Sequence, residues 1–236
     1  MIVLYSYPPL FNAADNNGYG LKIFAYLRLA GLPFEHRHVV DASSAPRGQL
    51  PYILDEGEVI GDSETIIAHL ESRHGAALDA GLTRALRDTA LLVTRVLDDL
   101  YWVMSYSRWK DPAFWPAFQA AMQREHPALT PPLLQQAHEY NAQRYHFQGI
   151  GRYEPHDAYA RGLADLALLA RLLPAEGYAV GPTPTSVDAA IYGFIAKILF
   201  SDIETPLRRF TVGQPNLVRH CEGIHAAITP LPIQVT

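Results

Sequence analysis

The segments RGQLPYI (residues 47–53) and DSETIIAHL (residues 62–70) carry more structural information than any other part of the chain. Pro51 has no N–H to give to a ladder, so it belongs at the first residue of a strand or at an edge. A cis Leu50–Pro51 bond would turn the backbone there and leave a neighbouring N–H and C=O free for an extended peptide. Pro51 to Leu54 and Glu58 to Ile60 flank Asp55-Glu56-Gly57, a tight-turn sequence, and read as an antiparallel hairpin. Asp62-Ser63 stands at a helix start, where either side chain can cap the first free N–H groups. The same N-terminus offers a carboxylate two things it needs, donors and the positive end of a dipole. Ile66, Ile67 and Leu70 face inward on this helix, and Gly75 ends it.

Upstream, Ile2 to Tyr5 is a short apolar strand stopped by Pro8-Pro9. Leu21 to Ala30 has near-helical apolar spacing and ends at Gly31, and Phe34 to Val40 reads as a second strand. The order is β-α-β, loop, β-β-α, a small α/β unit with a mixed sheet over residues 1–75. Beyond it the strand signals stop. Helices are expected over 82–104, 112–124, 131–147, 157–173, 186–200 and 216–228, with prolines between them. A linker at 75–83 separates the α/β unit from an all-helical domain at 83–236. Thr185-Ser186-Val187-Asp188 matches a capping box, and the nearly all-apolar AAIYGFIAKILF that follows should run through the core.

Composition narrows the function. The 236 residues carry 19 Lys+Arg against 24 Asp+Glu, a net charge of −5, so no basic footprint for nucleic acid exists. A single cysteine, Cys221, excludes a disulfide framework and a Cys-x-x-Cys redox pair. No apolar run reaches the ~20 residues needed to span a bilayer. The N-terminus lacks the charge pattern of a signal peptide, and a cytoplasmic location is expected. His36 and His38 share one strand face that could hold a metal, though a solvated or edge face is expected there; the His220, Cys221, His225 cluster fits no compact zinc pattern, and no metal is expected.

These motifs together resemble the glutathione transferase superfamily over nearly the whole length. The resemblance rests on the strand and helix order, Gly48 to Pro51 as G-x-L-P, Asp62-Ser63, the capping box and the helical second domain. Leu27-Arg28-Leu29-Ala30-Gly31-Leu32-Pro33 is most similar to the metaxin and failed axon connections branch. The resemblance implies a thioredoxin-like N-terminal domain that binds glutathione, an all-α C-terminal domain and a cis Leu50–Pro51 bond. It further implies that the Leu50 backbone holds the cysteinyl part of glutathione while Asp62 and Ser63 hold its γ-glutamyl end. Asn17 stands where many relatives have a thiol-activating Ser, in Asn17-Gly18-Tyr19-Gly20-Leu21-Lys22. The Asn amide can donate to sulfur, and a turn before the helix is the alternative role. Tyr5 and Tyr7, at the end of the first strand, occupy the region that supplies the activator in another branch. Tyr19, Tyr101 and Tyr106 are expected to line the pocket for the second substrate. The implied reaction is attack by the glutathione thiolate on a small apolar electrophile, or on a disulfide or peroxide. The implied partners are glutathione and a small hydrophobic electrophile, in detoxification, and the family admits a homodimer. The alternative is a non-catalytic binding or scaffold module, favoured by Asn17 in place of Ser or Cys.

Overall fold

The computed structural model describes residues 1–229. Residues 230–236 of the expected helical domain lie outside the described residues. The sheet has four strands, β1 (Ile2–Ser6), β2 (Phe34–His38), β3 (Tyr52–Asp55) and β4 (Glu58–Gly61), in the order β2-β1-β3-β4. The β1–β2 pair is parallel, with Ile2 opposite Phe34, and its crossover is α1 (Gly18–Leu29). The other two pairs are antiparallel, and Val3 faces Leu54 across β1–β3. This mixed sheet and the α2 helix (Ser63–His74) match the expected first unit.

Among the described residues, seven further helices follow: α3 (Arg84–Trp109), α4 (Trp115–Glu125), α5 (Pro131–Gln148), α6 (Pro155–Leu172), α7 (Ser186–Leu199), α8 (Pro206–Val212) and α9 (Pro215–Ile228). The short α8 has no counterpart in the sequence reading, and α3 runs five residues past its expected end at 104. α1 begins three residues before its expected start at 21. Gly18 and Gly20 are poor helix formers, but neighbours leave no room for anything larger. A Cβ on Gly20 would sit 1.7 Å from Asp15 Oδ2, and one on Gly18 would sit 3.2 Å from the Phe194 ring.

α7 is the central helix of the molecule, buried from Val187 to Ile198 as its apolar run implies. It packs directly on α1, and Gly193 lets the two backbones approach closely. The capping box forms. Asp188 accepts from Thr185 N and Thr185 Oγ1, at 2.8 and 2.7 Å. Asp188 also accepts from Ala179 N (2.8 Å) and lies 2.7 Å from His220 Nε2, which ties α9 and the loop before α7 to one carboxylate.

Candidate functional site

The Leu50–Pro51 bond is cis, as expected. The Leu50 N–H and C=O form no hydrogen bond with protein among the described residues. Asp62 is the N-cap of α2, accepting from Thr65 N at 3.1 Å. It holds a left-handed backbone, with φ at 77°, a strained conformation for a side chain other than glycine. Arg47 lies 3.6 Å from its carboxylate. Ser63, the first residue of α2, is buried, and its hydroxyl accepts from Lys22 Nζ at 3.3 Å. Lys22 comes from α1 and is only 2% exposed, and it also pairs with Glu64. A buried ammonium beside the hydroxyl at a helix N-terminus adds charge complementarity for an anion.

Asn17 is the N-cap of α1. Its Oδ1 accepts from Tyr19 N at 2.8 Å, which leaves Nδ2 as the amide's unengaged donor. Its own N–H donates to Asp15 Oδ1 at 2.5 Å. Asp15 is fully buried beneath Gly20, and burial pushes its carboxyl well up against the opposing pull of the Asn17 N–H and the Lys197 ammonium. The cap and the turn thus coexist at Asn17, and neither role removes the free donor.

Asn17 opens onto a cleft of about 730 Å³ between the first unit and the helices. Tyr7, Pro8, Asn16, Gly18 and the loop at 40–43 with Gly48 form one side. Residues from α3, α4 and α5 form the other, including Tyr101, Met104, Arg108, Trp109, Met122, Leu134, Tyr140 and Arg144. Of the three tyrosines expected there, Tyr101 lines the cleft. The structure places Tyr19 beside it rather than on the wall. Its ring packs 5.1 Å from both Tyr101 and Phe194, and its hydroxyl donates to Asp98 at 2.9 Å. Tyr106 sits in the core, 6.2–6.5 Å from the Tyr159 and Tyr145 rings, because α3 turns that side toward α5 and α6. Tyr5 stacks on Tyr52 at 4.5 Å, a packing role. Tyr7, by contrast, faces the cleft. Burial and the neighbouring Tyr101 phenol push its hydroxyl up to about 12, so it remains a donor at neutral pH.

Sequence reasoning missed Lys22, Asp15, Arg108 and Arg144. Residue type places charged side chains outside, and only the pairing of helices shows otherwise. It also missed a convergence away from the cleft. His69 Nε2 and His74 Nε2, on α2, lie 3.0 and 2.7 Å from Asp55 Oδ2, and the three groups lie within 4.8 Å of one another. They are the one such set of potential metal ligands among the described residues. Both imidazoles approach one carboxylate oxygen, a contact that already satisfies half of a buried acid.

A mixed four-stranded sheet with a cis-proline loop, joined to a helical bundle across a cleft, is the architecture of solved glutathione transferases. A beta-etherase from Sphingobium sp. strain SYK-6 superposes with a TM-score of 0.65 at 20% identity, covering 96% of each chain. A glutathione S-transferase from Methylobacterium radiotolerans, solved with glutathione sulfonate, superposes at 0.61 and 20% identity, covering 100% of this chain and 97% of that one. The glutathione S-transferase N-terminal domain family matches residues 19–114, and the C-terminal domain family matches residues 162–224. The isoprene-epoxide glutathione S-transferase of Rhodococcus sp. (strain AD45) is 30% identical over 95% of this chain and 98% of its own. Failed axon connections of Drosophila melanogaster is 29% identical over 93% of this chain, which spans 56% of that longer protein. The chain belongs to the glutathione S-transferase family, with similarity to the metaxin-like branch. No described helix is long and apolar enough to cross a membrane.

Proposed function

We propose that the chain binds glutathione and joins its thiolate to a small electrophile in the cleft. The observation that carries this reading is Asn17. Its carbonyl is committed to capping α1, so its NH₂ is left at the cleft wall as a donor. The Leu50 backbone takes the cysteinyl part of the tripeptide. Ser63, with Lys22 beside it, takes the γ-glutamyl carboxylate, and Asp62 takes the γ-glutamyl ammonium.

A free thiol titrates near ~8.5, and its thiolate is the nucleophile. A hydrogen bond to a charged group contributes roughly 1.5–3 kcal/mol, which corresponds to lowering that pKa by ~1–2 units. The thiol proton passes to solvent and sulfur forms a bond to an electrophilic carbon. The bond from that carbon to a leaving group breaks and the group departs with the electron pair, or the bond to an epoxide oxygen breaks and that oxygen takes a proton from solvent. The isoprene-epoxide transferase relative supports the epoxide case. The protonated Tyr7 phenol supplies a second donor on the same wall.

The test is the thiolate absorbance of the glutathione complex against pH, for wild type and Asn17→Ala. The titration should move up by ~1–2 units in the variant while glutathione affinity holds. Superimposable curves would transfer the activating role to Tyr7. Absence of thiolate in the wild-type complex at neutral pH would favour the non-catalytic module.

A further inference from the structure

The helical wall of the cleft carries positive charge that no protein acid neutralises. Arg108 (α3) and Arg144 (α5) both line the cleft, and among the described residues neither has a carboxylate within ion-pair distance. Arg108 is 7% exposed, and its one hydrogen bond to protein goes from Nη2 to the Lys197 carbonyl oxygen. A guanidinium has five N–H donors in a planar fork, so this cleft-lining residue keeps donors that no protein group accepts from among the described residues. Burial lowers Arg108 to about 10, still charged at neutral pH. Lys197 lies next to it, 1% exposed, with Nζ donating to the Leu10 carbonyl at 3.1 Å, and burial together with the Arg108 charge holds its pKa well below the usual lysine range.

Arg144 is held in place without being neutralised. Asn141 Oδ1 accepts from it at 3.0 Å, and its guanidinium lies 5.4 Å from the centre of the Trp102 ring and 5.9 Å from that of Tyr140. Unpaired buried cations cost free energy and call for an anionic partner. The planar forks favour a carboxylate, which they can engage bidentately. The rest of the wall is apolar or aromatic, with Met104, Trp109 and Leu134.

We infer that the second substrate is an apolar or aromatic electrophile bearing a carboxylate, which Arg108 and Arg144 hold. This rests on the glutathione-conjugation reading and adds to it a substrate class that a neutral epoxide would not need.

The test compares S-(4-carboxybenzyl)glutathione with S-benzylglutathione by calorimetry, in wild type, Arg144→Gln and Arg171→Gln. Both ligands carry glutathione's own carboxylates, so their difference reads the added anion alone. Wild type should bind the carboxylated ligand about ten-fold or more tightly. That preference should collapse in Arg144→Gln and persist in Arg171→Gln, which removes an exposed charge on α6. Arg108→Met repeats the test where the variant folds. Equal binding of the two ligands by wild type overturns the inference and leaves glutathione binding intact. So does an equal loss of both ligands and of glutathione itself in Arg144→Gln, which would assign the arginines to glutathione's own carboxylate. Failure of glutathione and both conjugates to bind wild type overturns the glutathione reading instead. The pocket is then judged by 4-nitrobenzoate against nitrobenzene, titrated alone, where equal affinity rejects the anion site.

Discussion

Replacing Gly193 with alanine drives the backbone of α7 against that of α1. A Cβ there would lie 2.4 Å from the Gly18 carbonyl oxygen, 2.9 Å from Lys22 N and 3.2 Å from Lys22 Cα. All three obstacles are backbone atoms of a helix, so no rotamer change can clear them. The helices must separate by roughly 1 Å before the new carbon reaches ordinary van der Waals distance. Overpacking typically costs about 1–3 kcal/mol, and a rigid obstacle places this case near ~3. Alanine regains about 1 kcal/mol over glycine in a helix interior. The net loss is then about 2 kcal/mol, or a Tm lower by roughly 4–8 °C for a chain of this size. Gly223→Ala on α9 is the matched control, because nothing lies within 4 Å of its Cβ position. That variant should gain about 0.5–1 kcal/mol. Thermal and urea unfolding followed by circular dichroism measure both. The displaced Gly18 adjoins Asn17, so glutathione affinity should also fall in Gly193→Ala and not in Gly223→Ala. A Gly193→Ala protein that melts at or above wild type would show slack between α1 and α7 and refute the reasoning.

Two further outcomes follow from the same contacts. Ser63→Ala removes a buried hydroxyl beside Lys22, and calorimetry should show glutathione binding weakened by about 1.5–3 kcal/mol, or ~10–150-fold; unchanged affinity would exclude Ser63 from the site. Asp188→Ala strips the partner from four donor groups and should cost about 3–5 kcal/mol in urea unfolding. Burial raises the Asp188 pKa, but His220, Thr185 and the Ala179 N–H outweigh it and hold the carboxyl below the usual range. Its stabilisation is therefore present above the unfolded value near ~4 and is lost as pH falls through the folded one. The gap between wild type and variant should narrow in acid, and a gap that stays constant below about pH 4 would contradict that sign.

The features legible in sequence are those whose physics is local. Asp62 capping α2, the Thr185–Asp188 box and the Asp55-Glu56-Gly57 turn each need only a few adjacent residues, and each forms as read. The apolar run of α7 is nearly as local, since a helix without a polar face has nowhere to lie except the core. What escaped depends on distant partners. Gly18 and Gly20 look like a turn until Phe194 and Asp15 are placed against them, and packing then overrides propensity. α8 spans seven residues, too short for periodicity to register. For Tyr19 and Tyr106 the facing helices decide which ring reaches the cleft, and sequence position alone does not show it.

The charged residues form the most instructive group. Lys22, Arg108 and Lys197 are of types normally found outside, yet each is nine-tenths buried or more. Burying them opposes stability unless something meets the charge; Glu64 pairs with Lys22, whereas Arg108 has no acidic partner among the described residues. Lys22 stands beside Ser63 at the N-terminus of α2, and Arg108 opens onto the cleft. Two of these buried cations, Lys22 and Arg108, thus stand at the two ends of one proposed site, one for the γ-glutamyl carboxylate and one for the anion of the second substrate. Asn17 lies between them in the proposed reaction path, with a cap on one side of its amide and a free donor on the other. A scaffold module would have no use for this arrangement, because an apolar residue of similar volume in place of Arg108 would be as stable or more so. A buried guanidinium at a cleft, without an acidic partner among the described residues, therefore weighs toward ligand chemistry and against a purely structural role.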